Sequence, residues 1–119
     1  RTDDLFRIFC YSSMSNKRYE KGRQFENYVS NLIAEFGFYV VRAAGSKGVF
    51  DLIAVRRGLV YGIQCKYDRR LSKLERERII TAALEYDIIP LLAYVKNHRV
   101  YIRNLFTNAD KPIRKYFRR

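Results

Sequence analysis

The chain has 119 residues, room for one domain, and 48% of them are hydrophobic, enough for one core. Twenty-four Lys and Arg against twelve Asp and Glu give a net charge of +12 and a pI near 10.0, which makes a polyanion the leading partner. No apolar run approaches the roughly 20 residues of a spanning helix, and two cysteines, Cys10 and Cys65, make neither a disulfide framework nor a zinc site.

The first stretch, Arg1 to Ser13, carries Asp3 and Asp4 ahead of a short apolar patch and does not read as a signal peptide. Met14 begins a basic, helix-starting segment, so 1–13 is read as an extension or added leader and 14–106 as the domain. Lys17 to Phe36 reads as a helix, with Phe25, Val29, Leu32, Ile33 and Phe36 near helical spacing and Gly37 as its stop. Phe38 to Ala43 is β-branched and aromatic and reads as a strand. Ala44-Gly45-Ser46-Lys47-Gly48 is a glycine-rich loop whose amides, hydroxyl and ammonium suit a phosphate. Phe50 to Arg56 and Leu59 to Tyr67 read as hairpin strands around Arg57-Gly58. Leu71 to Tyr86 is a second helix. Pro90 to Val95 and Arg99 to Ile102 form another strand pair around Asn97-His98, where the single histidine reads as a turn residue. From 107 the chain is a basic C-terminal tail, either a solvated end or a strap on DNA phosphates. The order α-β-β-β-α-β-β argues for an α/β fold, a mixed five-stranded sheet flanked by helices.

The hairpin carries the chemistry. With a two-residue loop at Arg57-Gly58, residue 56 opposes 59 and Asp51 opposes Gln64, with opposed Cβ atoms roughly 4.5–5.5 Å apart. Lys66, two residues on, projects from the same face as Gln64. A carboxylate, an amide oxygen and an ammonium at one end of a hairpin can hold a divalent metal and position a water against a phosphate. The backbone carbonyl of Cys65 can add an oxygen, while its side chain points to the other face as a small buried residue. Taken singly, Asp51 is equally a capping aspartate, Gln64 a polar strand residue and Lys66 an edge lysine. Glu26 lies at the margin of the apolar stripe of the first helix, where it can meet the metal or pair with Arg23. Gly22, one turn before it, permits close approach of another backbone.

Together, Lys21-Gly22-Arg23-Gln24-Phe25-Glu26, Val41-Arg42-Ala43-Ala44-Gly45-Ser46, Phe50-Asp51-Leu52-Ile53-Ala54 and Ile63-Gln64-Cys65-Lys66 resemble the archaeal-type Holliday junction resolvases, within the PD-(D/E)xK nuclease superfamily. The resemblance spans Lys17 to Ile102. It implies a restriction-endonuclease-like nuclease domain and a homodimer that cuts a four-way DNA junction with Mg2+, Mn2+ being a substitute. The products would be a 5′-phosphate and a 3′-hydroxyl, and the place of action the cytoplasm of an archaeal cell or a virus-infected host cell. It implies Glu26, Ser46, Asp51, Gln64 and Lys66 as the catalytic set, with Glu26, Asp51, Gln64 and the Cys65 carbonyl on the metal. Lys21, Arg23, Lys47, Arg69 and Arg70 are the candidate phosphate contacts, and Tyr94, Tyr101 and Phe106 candidate contributors to the dimer interface. Gln64 departs from the glutamate of the family pattern, which bears on metal affinity, and the Ser46 to Asp51 loop is short. The alternatives are a restriction- or repair-type nuclease of the same fold and a catalytically inert nucleic-acid-binding module.

Overall fold

The computed structural model describes residues 18–43 and 48–118. The readings made for the segment 1–13, for Met14, and for Gly45, Ser46 and Lys47 lie outside them. Helix α1 (Arg18–Glu35) leads into β1 (Tyr39–Arg42), β2 (Leu52–Arg56) and β3 (Leu59–Cys65). Helix α2 (Lys73–Tyr86) then crosses to β4 (Ile89–Lys96), β5 (Arg99–Asn104) and β6 (Ala109–Pro112), and a short α3 (Ile113–Tyr116) follows.

The six strands lie side by side in chain order, antiparallel throughout except where β3 and β4 run parallel across α2. That parallel pair requires a crossover, and α2 supplies it. The expected mixed α/β sheet is therefore present with one strand more than the five expected. The stretch from 107, read as a basic tail, contains β6 and α3. Its anchors are Ile113 and Phe117, both buried in the core, and a polar clasp. Asp110 accepts from Arg103 Nε at 2.7 Å and from the Tyr94 hydroxyl at 2.8 Å. The Arg103 bond, ahead of the opposing effect of burial, holds the Asp110 carboxyl below its ordinary range.

Alternation along the strands separates two cores. Leu52, Ala54, Ile63, Cys65, Leu91 and Ala93 face α1, meeting Phe25, Val29 and Ile33. Leu92, Tyr94 and Phe50 face α2, meeting Ile79 and Ala83. Strand β4 is covered on both faces, so its run of apolar residues does not alternate with polar ones. This overturns Tyr94 as an exposed dimer aromatic: it is 0% exposed. Tyr101 is half-buried and stacks on it with centroids 5.9 Å apart, and only Phe106 of that trio is exposed. Cys65 is a buried residue of the α1 core, as its position implied.

One glycine is required by packing. At Gly62 an added Cβ would sit 2.6 Å from two ring carbons of Phe50. Phe50 is buried on the α2 side and directly precedes Asp51. Gly62→Ala therefore pushes the ring, and with it the start of β2. The expected result is a loss of about 1–3 kcal/mol, or roughly 5–10 °C in Tm, with reduced cleavage per folded molecule. Calorimetry with an activity assay well below the transition checks it. An unchanged Tm would show that the Phe50 ring yields freely.

Candidate active site

The geometry begins with a turn. Arg57 and Gly58 both have positive φ, 51° and 82°, as a two-residue type I′ hairpin demands. Arg56 pairs with Leu59, Val55 with Val60 and Leu52 with Ile63. The paired register stops at Leu52 and Ile63, and Asp51 and Gln64 are the next residue on each strand. Arg57 holds the left-handed conformation that glycine or asparagine more often supplies.

Strand β2 ends at Leu52 while β3 runs on to Cys65. The edge of β3 beyond Ile63 has lost its partner, and Asp51 replaces it. Its backbone N–H donates to the Ile63 carbonyl at 2.9 Å, and its Oδ2 accepts from the Cys65 N–H at 2.8 Å. The carboxylate thus stands at the open end of β2. An extended residue presents its N–H and C=O to the same edge, so the Cys65 carbonyl faces that end too.

A cavity of about 540 Å³ opens on the α2 side of this end, lined by Gly48, Val49, Asp51, Gln64, Glu75, Arg78 and Ile79. Asp51 and Gln64 come from the hairpin, while Glu75 and Arg78 come from the first turns of α2. Lys66 joins through Glu75: its Nζ donates to Glu75 Oε2 at 2.8 Å. Lys66 lies close enough for its charge to lower the Asp51 carboxyl. Glu75 itself is fixed by a capping box. Its Oε1 accepts from the Ser72 N–H at 3.0 Å, and its own N–H donates to Ser72 Oγ at 3.0 Å. The Lys66 hydrogen bond, then the Ser72 amide, hold the Glu75 carboxyl below its usual range.

Glu26 approaches from the other core, on the stripe of α1 between Gly22 and Val29. Its Oε1 lies 3.4 Å from Arg42 Nη2 on β1, and Arg42 Nη1 donates to Asn27 Oδ1 at 2.9 Å. Glu26 is therefore ion-paired across to Arg42 on β1, and the Arg23 charge also acts on it. Burial raises the Glu26 carboxyl above its ordinary value, and the Asp51 charge raises it further against Arg42. Burial likewise raises Asp51, opposed by the Cys65 N–H and Lys66 and aided by Glu75. Both carboxylates are partly desolvated and the Asp51 charge disfavours that of Glu26, an arrangement that a nearby cation would relieve.

Among the described residues, no three Asp, Glu, His or Cys side chains form a closed metal cage. The available donors are two carboxylates, the neutral Gln64 amide and a backbone carbonyl. That set fits a hard divalent ion that keeps much of its water.

The other candidates are more scattered. Lys21 Nζ sits 4.1 Å above the Tyr67 ring, the Arg69 guanidinium 5.3 Å from the Tyr94 ring, and Arg70 pairs with Asp68 at 3.7 Å. Arg23 is exposed. None of these four lines the cavity; Arg78 does. Gly22 has open space where a Cβ would go, so packing within the chain does not require glycine there. Sequence reasoning gave no role to Arg42, Glu75 or Arg78. The Ser72-x-x-Glu75 spacing was a readable capping-box signal for one of them.

A model of the archaeal Holliday junction resolvase (Hjc) family matches residues 17–106. The chain is 37% identical over 93 residues to the crossover junction endodeoxyribonuclease Hjc of Methanocaldococcus jannaschii, covering 75% of this chain and 69% of that protein. It also superposes on the Hjc Holliday junction resolvase of Archaeoglobus fulgidus with a TM-score of 0.63 and 22% identity, covering 72% of this chain and 74% of that one. That likeness speaks for the fold. Among the described residues no helix is long and apolar enough to cross a membrane. With the match spanning most of the chain, including both ends of the cavity, the protein belongs to the archaeal Holliday junction resolvase family.

Proposed function

We propose that this chain is a structure-selective endonuclease that resolves four-way DNA junctions by metal-dependent phosphodiester hydrolysis. The observation that carries the reading is the register of β2 and β3. Its last pair is Leu52 with Ile63, and the residues just beyond, Asp51 and Gln64, line one cavity at an open strand end in a chain of this family. The net charge of +12 supports a polyanionic substrate. Phosphate contacts fix position rather than read bases, so selectivity follows junction shape.

Asp51, Gln64, Glu26 and the Cys65 carbonyl would hold a divalent ion, Mg2+ with Mn2+ as a substitute. When bound, that ion supplies Lewis-acid activation of a water and of the scissile phosphate. Asp51 is oriented by the Cys65 N–H, which keeps one oxygen occupied and leaves Oδ1 for a ligand. An ammonium carries three donors, and Glu75 takes one, so Lys66 retains two for a phosphate oxygen or the attacking water. Arg78 offers a guanidinium at the cavity wall for the same phosphate. Hydrolysis breaks the P–O3′ bond, leaving a 3′-hydroxyl and a 5′-phosphate. Ser46 completes the proposed set, and Lys21, Arg23, Lys47, Arg69 and Arg70 are the proposed backbone contacts. A homodimer suits the near-twofold symmetry of a junction. The proposed place of action is the cytoplasm of an archaeal cell or a virus-infected host.

The test is incubation with a labelled four-way junction and with linear duplex, in Mg2+, Mn2+ and EDTA. Paired nicks in the junction, dependent on the ion, are expected. Equal cutting of linear duplex would favour a restriction- or repair-type nuclease. Junction binding without nicking in either metal would make the chain an inert binder.

A further inference from the structure

The Lys66–Glu75 contact joins the hairpin to α2, the helix whose Arg78 also lines the cavity. Strand β3 has already ended at Cys65, and the Lys66 N–H is spent on the Ala93 carbonyl at 2.9 Å. The backbone is therefore placed, but a four-carbon side chain leaves the ammonium free to sweep a wide volume. In the structure it sweeps nothing: Nζ is on Glu75 Oε2 at 2.8 Å. The other carboxylate oxygen of Glu75 is held by the Ser72 N–H, so the carboxylate is clamped at both oxygens. Glu75 also lines the cavity with Asp51 and Gln64, so the clamp sits at its wall.

An ordinary helix cap needs the Ser72 half of this arrangement and not the Lys66 half. A surface ion pair needs neither the capping box nor the cavity. We infer that Glu75 is a positioning residue for the reaction, holding the Lys66 ammonium beside Asp51 and Gln64 in the orientation needed by the scissile phosphate. The inference rests on the nuclease reading of Lys66 above. It makes the first turn of α2 part of the catalytic apparatus, since the capping box fixes the carboxylate that in turn fixes the ammonium. It also predicts that the charge of Glu75, and not only its hydrogen bonding to Ser72, is required.

Glu75→Gln separates the two roles. Glutamine serves in a capping box as well as glutamate, with its amide oxygen on the Ser72 N–H. The remaining NH2 then faces another donor on Lys66, and the clamp is lost. Rates are measured with Mg2+ on a labelled four-way junction, well below the melting transition, with junction affinity measured separately. Glu75→Gln is expected to lower kcat about 10- to 100-fold, the scale on which misplacement of a catalytic group acts, while junction affinity stays at the parent value. On a Lys66→Ala background the same change is expected to add nothing, because the ammonium it positions is gone. A parent-like rate for Glu75→Gln beside a dead Lys66→Ala overturns the inference and leaves the nuclease reading standing. Parent-like cleavage by Lys66→Ala removes that reading itself. A full further loss on the Lys66→Ala background overturns the inference by making Glu75 act elsewhere. So does a raised Mg2+ requirement with an unchanged rate at saturation, which would place Glu75 with the ion.

Discussion

Asp51→Asn is expected to abolish cleavage, preserve junction binding and raise the melting temperature of the metal-free protein. The three outcomes follow from one carboxylate. Asp51 is half-buried at the end of β2, and burial raises its carboxyl above the ordinary value of 3.8 in spite of the Cys65 N–H and Lys66. A raised carboxyl means that the charged form is worse off in the folded chain than in the unfolded one. At neutral pH, above the raised value, that is a standing cost to stability; it fades as pH falls through the raised value. Glu26, raised above 4.5 by burial and then by Asp51, carries the same sign.

Asparagine removes the charge and keeps an oxygen that can accept from the Cys65 N–H, so the strand end stays closed. Relief of both desolvation and the repulsion with Glu26 and Glu75 then lifts Tm by a few degrees in EDTA at neutral pH. The difference between parent and variant should shrink toward acid pH, where the parent carboxyl protonates. Cleavage, by contrast, should fall by more than about 100-fold, since even groups behind a metal ligand are worth roughly 10- to 100-fold. Thermal melts in EDTA across pH, beside nicking and binding assays, read all three. Full activity would take Asp51 out of the site. A lowered Tm would make it chiefly a strut for Cys65.

The legible part of this chain was the part governed by local rules. Arg57-Gly58 flanked by apolar runs specified a two-residue hairpin, and the two-residue count fixed which residues oppose each other. The register from Arg56–Leu59 to Leu52–Ile63 followed from turn chemistry alone. The two long helices were legible from spacing, and Asn97-His98 as a turn: both residues hold positive φ. The sixth strand was not legible, because nothing in Ala-Asp-Lys-Pro alternates. It forms because Asp110 reaches Arg103 and Tyr94, a contact across the sheet. Tyr94 was misjudged for a related reason. Alternation implies an outward face only when one side of a sheet is bare, and β4 is covered on both. Arg42 and Glu75 were missed because each meets its partner from an element distant in sequence. Arg42 reaches 16 residues back to Glu26, and Glu75 nine residues back to Lys66. Of the two, Glu75 had a local signal in its capping box, which announces a helix start and says nothing of a lysine.

Gln64→Glu tests the neutral amide among the proposed metal ligands. The Gln64 amide offers a neutral oxygen at the cavity wall, where Asp51 and Glu75 are the acids among its lining residues. A carboxylate there adds a stronger ligand for a hard cation. Without the ion, it also adds a third negative charge beside Asp51, whose charged form burial already penalises and Glu75 further disfavours. The variant should therefore melt a few degrees below the parent in EDTA and gain more from Mg2+ than the parent gains, through binding that favours the folded state. The Mg2+ concentration for half-maximal cleavage should fall about tenfold, equivalent to about 1.4 kcal/mol. Melting curves over a Mg2+ titration measure this without reference to activity. If the EDTA melt drops and the Mg2+ midpoint does not move, the residue 64 side chain lies in the cavity without meeting the ion, and the ligand set contracts to Asp51, Glu26 and the Cys65 carbonyl. The chain would then bind its ion chiefly through water, and Lys66 with its Glu75 anchor would carry more of the work of placing the phosphate.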